Sequence, residues 1–270
     1  MNANPEHAPQ TFPARVAARE LLLHWRAGRV LSTLAETCRP STRAQGYAVQ
    51  RELMMLAGGR VPGWKIAATS VAGQKHIHVP GPMVGAIHRG RVYGDGASVS
   101  LRGNRMRVAE CEIAFVFARS LAPSEHPRSQ NEVMASLATI HPAIEVPDSR
   151  FEPFEQAGEA QLIADNACSR DFVIGRPHPI GKAVFALADH VVQARMSDGR
   201  SFSGVGANVL GDPLIALTWF ANEMSSAGIT IEAGQFVTTG ACVTPIPVLP
   251  GQTVQADFGW LGTMTVRFGG

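Results

Sequence analysis

Cysteine is scarce in this 270-residue chain, and the four present, Cys38, Cys111, Cys168 and Cys242, lie far apart with no C-x-x-C pair. That spacing argues against a disulfide framework or a cysteine zinc site, so they read as reduced, small apolar residues. There is no phosphate-cradling G-x-x-x-x-G-K-[ST] motif. The Gly-rich run Gly204–Gly211 lacks both the G-x-G-x-x-G spacing and an acidic residue after a βαβ unit, so it is expected to be a turn leading into a helix at Pro213. No run approaches the roughly 18 apolar residues of a membrane span. The opening Met1-Asn2-Ala3-Asn4-Pro5-Glu6 carries no signal-peptide core, and a cytoplasmic protein without membrane contact is expected. Charge of one sign is also lacking. A net charge of +2, scattered arginines and no aromatic–basic repeat give no case for nucleic acid.

What is present suits a soluble enzyme: 45% hydrophobic and 17% charged residues, enough to bury one large core or two modest ones. Residues 1–12 are polar and are expected to be disordered. Helical spacing runs over Val16–Trp25 and again over Arg43–Leu56, with Ser41 or Thr42 as cap and Gly58-Gly59 as stop. From Gly63 short runs of strand character follow, at Trp64–Ala68, Met83–Ile87, Glu110–Phe117, His141–Val146, Asp171–Ile174, Val191–Met196, Gln235–Thr239, Thr253–Phe258 and Leu261–Phe268, with helices at Gln130–Ala138 and Pro213–Ala227. This predicts an α+β chain with an N-terminal helical region, 1–62, and a strand-rich catalytic domain, 63–270.

Within that body, Glu110 and Glu112 flank Cys111 in an apolar run. Alternate side chains of a strand share a face, so the two carboxylates project together while Cys111, Ile113 and Phe115 pack behind. Such a pair is solvated on an edge strand, shares a proton, or holds a cation. Glu145 lies in a second apolar run, Ile140–Pro147, and three acids in apolar frames suggest a site for Mg²⁺ or Mn²⁺ with positions open to substrate. The histidines are less telling: His76 and His78 sit in a stretch read as a loop with no third partner, and His141 reads as structural. Cys168 follows Asp165-Asn166 and can line a pocket, but no base for a nucleophile is evident.

Gly63-Trp64-Lys65-Ile66, Glu110-x-Glu112, Pro142-Ala143-Ile144-Glu145 with Ser149-Arg150, Ala164-Asp165-Asn166-Ala167, Leu210-Gly211-Asp212-Pro213 and Thr239-Gly240 occur in that order. The pattern, over roughly residues 45–268, resembles the fumarylacetoacetate hydrolase superfamily, and within it the branch of 2-hydroxy-2,4-dienoate (2-oxopent-4-enoate) hydratases and 4-oxalocrotonate decarboxylases. The resemblance implies a mixed β-sandwich/roll and a divalent-metal-dependent lyase acting on a small 2-oxo or 2-hydroxydienoic acid. Hydration to a 4-hydroxy-2-oxo acid in meta-cleavage aromatic degradation is the first reading. Decarboxylation of a 4-oxalocrotonate-type acid, C–C hydrolysis of an acylpyruvate and a non-catalytic partner subunit follow in that order. A homo-oligomer, or a complex with a related enzyme, is expected.

On this resemblance Glu110, Glu112 and Glu145 hold the metal, and Lys65 and Asp165 are catalytic. Lys65, Met83, Arg150, Asn166, Thr238 and Thr239 contact substrate. One departure stands out. Hydratases of this branch carry Pro-Asp-Phe-Gly after the lysine motif, whereas this chain has Gly81-Pro82-Met83-Val84-Gly85, with Met83 in place of the acid as in the decarboxylases. The His-Glu dyad of the superfamily's C–C hydrolases is not recognisable at matching positions.

Overall fold

The computed structural model describes residues 12–270. The expected disorder of 1–12 therefore lies outside the described residues except at Phe12, which packs partly buried against the core. Helix α1 spans Ala14–Ala27, with Gly28 in the left-handed region as its stop, and α2 spans Arg43–Leu56, where the Thr42 hydroxyl accepts from Gln45 N. Strands begin at Gly63, with β1 (Gly63–Ala67), and helix α3 (Val71–His76) replaces the loop expected around His76. The chain continues through β2 (Met83–Ile87), β3 (Val92–Gly94), β4 (Ser98–Ser100), β5 (Val108–Phe117), α4 (Gln130–Met134), β6 (Leu137–Val146), α5 (Glu159–Ala164), β7 (Asp171–Ile174) and β8 (His178–Pro179). Then come β9 (Val191–Met196), β10 (Ser201–Val205), α6 (Pro213–Ser226), β11 (Phe236–Ala241), β12 (Ile246–Pro247), β13 (Thr253–Asp257) and β14 (Thr263–Gly269).

Most boundaries shift by a few residues from expectation, and two shifts change how a segment reads. The helix at Gln130 stops at Met134, because Leu137 onward already pairs with β5. The Gly-rich run is not wholly a turn, since Gly204-Val205 end β10 and pair with β9. A Cβ at Gly204 would stand 2.0 Å from the Cys242 carbonyl oxygen, so glycine is what allows that approach.

One mixed sheet runs β2-β1-β11-β5-β6-β7-β3, with β12 beside β5 and β8 beside β6; a second runs β10-β9-β13-β14-β4. The second sheet is one-sided, as the alternating burial of β9 and β13 shows. Its inward Val192, Ala194, Val254 and Ala256 join the same apolar cluster as Cys111 and Ile144 of the first sheet, giving the expected α+β sandwich. Helices α1 and α2 add Leu21 and Leu53 to that cluster, so the N-terminal helices share a core with the strand-rich part.

Candidate metal-dependent active site

Sheet register assembles three acids. On β5 and β6, Glu110 pairs directly with Glu145, so both project from one face, and Glu112 lies two residues further along it. One carboxylate oxygen from each of the three lies within 4.8 Å of the others. A bulge in β11 between Thr238 and Ala241 turns the Gly240 N–H towards Glu112, to whose Oε2 it donates at 3.0 Å. Gly240 has φ 107°, and a Cβ there would lie 2.0 Å from Thr69 Oγ1, so only glycine fits.

Lys65 on β1 faces this wall. Its Nζ lies 3.1 Å from Glu145 Oε1 and donates to the Ala167 carbonyl at 3.0 Å. Burial opposes its charge, but the glutamates, Glu145 foremost, outweigh that and raise its pKa above the ordinary lysine range. Burial also raises Glu110 and drives Glu145 well up; burial and then the charge of Glu110 push Glu112 up to about 7. Three carboxylates against one ammonium leave two negative charges when all ionise. Beyond the 3.1 Å ion pair of its Oε1 with Lys65, the buried Glu145 carboxylate has no hydrogen-bond partner among the described residues. All-oxygen donors, a two-charge excess and orphaned acceptors fit a divalent cation.

The pocket in front of this cluster encloses about 800 Å³. Lys65, Glu110 and Glu112 line its inner end with Ala167 and Cys168, and Met83, Ile77, Met106, Phe154 and Val243 form apolar walls. Further out, Arg105 pairs with Glu152 at 3.4 Å, and His76 lies 3.9 Å from Glu155, too far for a hydrogen bond. Burial pushes the Cys168 thiol up to about 12, which leaves it protonated and unreactive at neutral pH. His141 is satisfied by the Gly175 carbonyl and Thr139, as a structural histidine.

Five residues expected at the site do not line the pocket. Asp165, expected to be catalytic, is fully buried and accepts from Trp25 Nε1 at 2.8 Å, Ser149 Oγ at 2.9 Å and Arg150 N at 2.6 Å. Burial, only partly offset by these donors, raises its pKa to about 6. Arg150 pairs with Asp148 rather than reaching towards substrate. Asn166 points its amide at Met54 Sδ, 3.5 Å away, and the Thr239 hydroxyl donates to the Ile113 carbonyl. Thr238 is wholly buried; it pairs with Lys65 and with Ala114, so its side chain lies on the face of the carboxylates, beside Glu112. Asp165, Arg150, Asn166 and Thr239 leave the backbone on the side away from the pocket, whereas Thr238 shares the sheet face of Lys65 and Glu112 but is covered by them.

Asn166, Ala167 and Cys168 have φ of 53°, 48° and 64°. Each non-glycine residue in that region costs on the order of 1 kcal/mol, so tertiary contacts must hold this left-handed turn. Sequence reading missed the bulge at Gly240, although Thr-Thr-Gly within a strand pattern is a bulge signal. It also missed Met106, Phe154 and Val243, single apolar residues in connecting segments that carry no signal of their own.

A mixed sandwich with a lysine facing three clustered carboxylates, two of them buried, defines a class of protein: enzymes built around a divalent cation. No protein-family model matches the chain. It is 33% identical over 246 residues to 2-keto-4-pentenoate hydratase of Burkholderia vietnamiensis, covering 90% of this chain and 92% of that one. To 2-hydroxyhexa-2,4-dienoate hydratase of Comamonas testosteroni it is 30% identical over 248 residues, again 90% and 92% of the two chains. The solved 4-oxalocrotonate decarboxylase of Pseudomonas putida G7, complexed with magnesium and adipate, superposes with a TM-score of 0.84 at 27% identity over 94% of this chain and 97% of that one. The chain belongs to this hydratase and decarboxylase branch of the fumarylacetoacetate hydrolase superfamily.

Proposed function

We propose that the protein hydrates a 2-hydroxy-2,4-dienoate, through its conjugated 2-oxo tautomer, to a 4-hydroxy-2-oxo acid in meta-cleavage degradation of aromatic compounds. The convergence of Glu110, Glu112 and Glu145 opposite Lys65 carries this reading. A divalent cation held by the three carboxylates, Mg²⁺ or Mn²⁺ by donor chemistry, supplies Lewis-acid charge and open positions for the carboxylate and 2-oxo oxygens. The Lys65 ammonium orients the anionic head of the substrate, and Met83, Ile77, Met106 and Val243 exclude water from the tail except where it is admitted to react. Asp165, Arg150, Asn166 and Thr239 support the walls from behind, and Thr238 stands beside Glu112.

The charge inventory favours a mono-acid. Beyond Lys65, the pocket's basic residues Arg105 and His76 already face Glu152 and Glu155, so a second substrate carboxylate would compete with an existing neighbour. Decarboxylation is the second reading, and Met83 favours it. A buried apolar side chain beside a departing carboxylate raises that group's energy relative to neutral CO₂. The rest of the proposal is an N-terminal helical region, 1–62, serving a catalytic domain, 63–270, in a cytoplasmic homo-oligomer or a complex with a related enzyme.

The test is incubation with Mg²⁺ and either 2-hydroxypenta-2,4-dienoate or 2-oxohex-3-enedioate, following hydrate and CO₂. Hydrate from the first substrate is expected. CO₂ from the second with no hydrate from the first would transfer the assignment to decarboxylation, and inertness towards both would remove it.

A further inference from the structure

Besides its ion pair with Glu145 at 3.1 Å, the Lys65 ammonium donates to the Ala167 carbonyl, in the middle of the left-handed turn. Backbone bonds close the turn, from Cys168 N to the Asp165 carbonyl at 3.2 Å and from Ser169 N to the Asn166 carbonyl at 2.9 Å, and side chains tie it to its surroundings. On its N-terminal side the Asp165 carboxylate ties it to Ser149, to Arg150 N and, across 140 residues, to the indole N–H of Trp25 on α1. From α2, Gln50 donates to the Ile163 and Val84 carbonyls at 2.9 Å each, and Met54 receives the Asn166 amide. Gly85, the β2 partner of Lys65, admits the turn: a Cβ there would stand 1.9 Å from the Asn166 carbonyl oxygen.

We infer that Asp165, anchored by Trp25, is a positioning residue that sets the place of the Lys65 ammonium through the turn at 166–168, without touching substrate. The N-terminal helices are then part of the catalytic apparatus although none of their residues enters the pocket. This rests on the assignment of Lys65 to the substrate-facing machinery.

Trp25→Phe removes the N–H donor and trades the indole for a smaller phenyl ring; Asp165→Asn is harsher, because its amide N–H then confronts either the Trp25 indole N–H or the Arg150 N–H. In the full-length Mg²⁺-loaded enzyme, Trp25→Phe is expected to lower kcat about five- to tenfold, with KM and Mg²⁺ affinity within twofold of wild type. Amide hydrogen exchange at 166–169 should speed up by a similar factor while the β5 and β6 amides are unchanged. In a Lys65→Met background the same substitution should cost nothing further in turnover. An unchanged kcat, an unchanged exchange rate at the turn, or an equal loss in the Lys65→Met background would each overturn the relay. Should Lys65→Met itself retain turnover within a few-fold of wild type, the assignment of Lys65 fails instead, which the single substitution reveals by itself.

Discussion

The two walls of the pocket are built on different principles. The carboxylate wall stands on adjacent strands, where Glu110, Glu112 and Glu145 are placed by a ladder of paired backbone bonds, and no single side-chain contact sets their spacing. The ammonium wall is the single side chain of Lys65 on β1, its tip held by Glu145 and by one carbonyl of a left-handed turn that contacts from α1, α2 and the segment at 149–150 tie down. The first is redundant and the second is not. Loss of charge on the sheet side should therefore abolish metal binding with the scaffold intact, whereas small steric changes on the turn side should reduce turnover with metal binding intact.

Glu112→Gln should produce the largest effect, a loss of Mg²⁺ affinity of about a hundredfold or more in calorimetric titration, because one of three anionic donors disappears. The circular dichroism spectrum should be unchanged. Affinity within a few-fold of wild type would remove the carboxylate wall as the metal seat. Lys65→Met comes next, with kcat/KM lower by a factor on the order of a hundred, the range for loss of a charge-stabilising group. Its Mg²⁺ affinity should be retained or increased, since a competing cation is gone; a large fall would make the two walls one unit and collapse the comparison.

Gly85→Ala tests the turn by steric means. The new methyl must displace the Asn166 carbonyl, so kcat should fall about tenfold and stability by about 1–3 kcal/mol, with Mg²⁺ affinity within a few-fold. An unchanged kcat would show that the turn tolerates displacement. The smallest effect is on pH dependence. In the metal-free fold Glu112 has its pKa raised from 4.5 to about 7, so the stability it contributes is complete below 4.5 and is lost as pH rises through 7. A cation competes with that proton, and Mg²⁺ affinity should be about tenfold weaker at pH 6 than at pH 8. Affinity that is flat over this range would mean that Glu112 stays ionised without metal.

Legibility in the sequence followed the same division. Glu110 and Glu112 were legible because a period of two is a local rule, and Glu145 because an acid in an apolar run has few benign explanations. Lys65 and Met83 lay in short strand-like runs and do reach the pocket. Asp165 was legible as a residue that matters, but its direction was not: a left-handed run of non-glycine residues leaves no compositional trace, so sequence aimed it at substrate where the fold aims it at Trp25. Arg150, Asn166 and Thr239 were misdirected too, being read from a motif's neighbourhood rather than from the side of the backbone they leave.

By itself the sequence determined the α+β class, the order of most elements and the face shared by Glu110 and Glu112, because period, caps and breakers act over a few residues. The tertiary structure alone decided that Glu145 would stand opposite Glu110, that a bulge would hand the Gly240 N–H to Glu112, and that a helix from the start of the chain would steady the turn behind Lys65. Those outcomes depend on register and on contacts between residues from about 35 to 140 positions apart, which packing of the whole chain selects and no local pattern encodes.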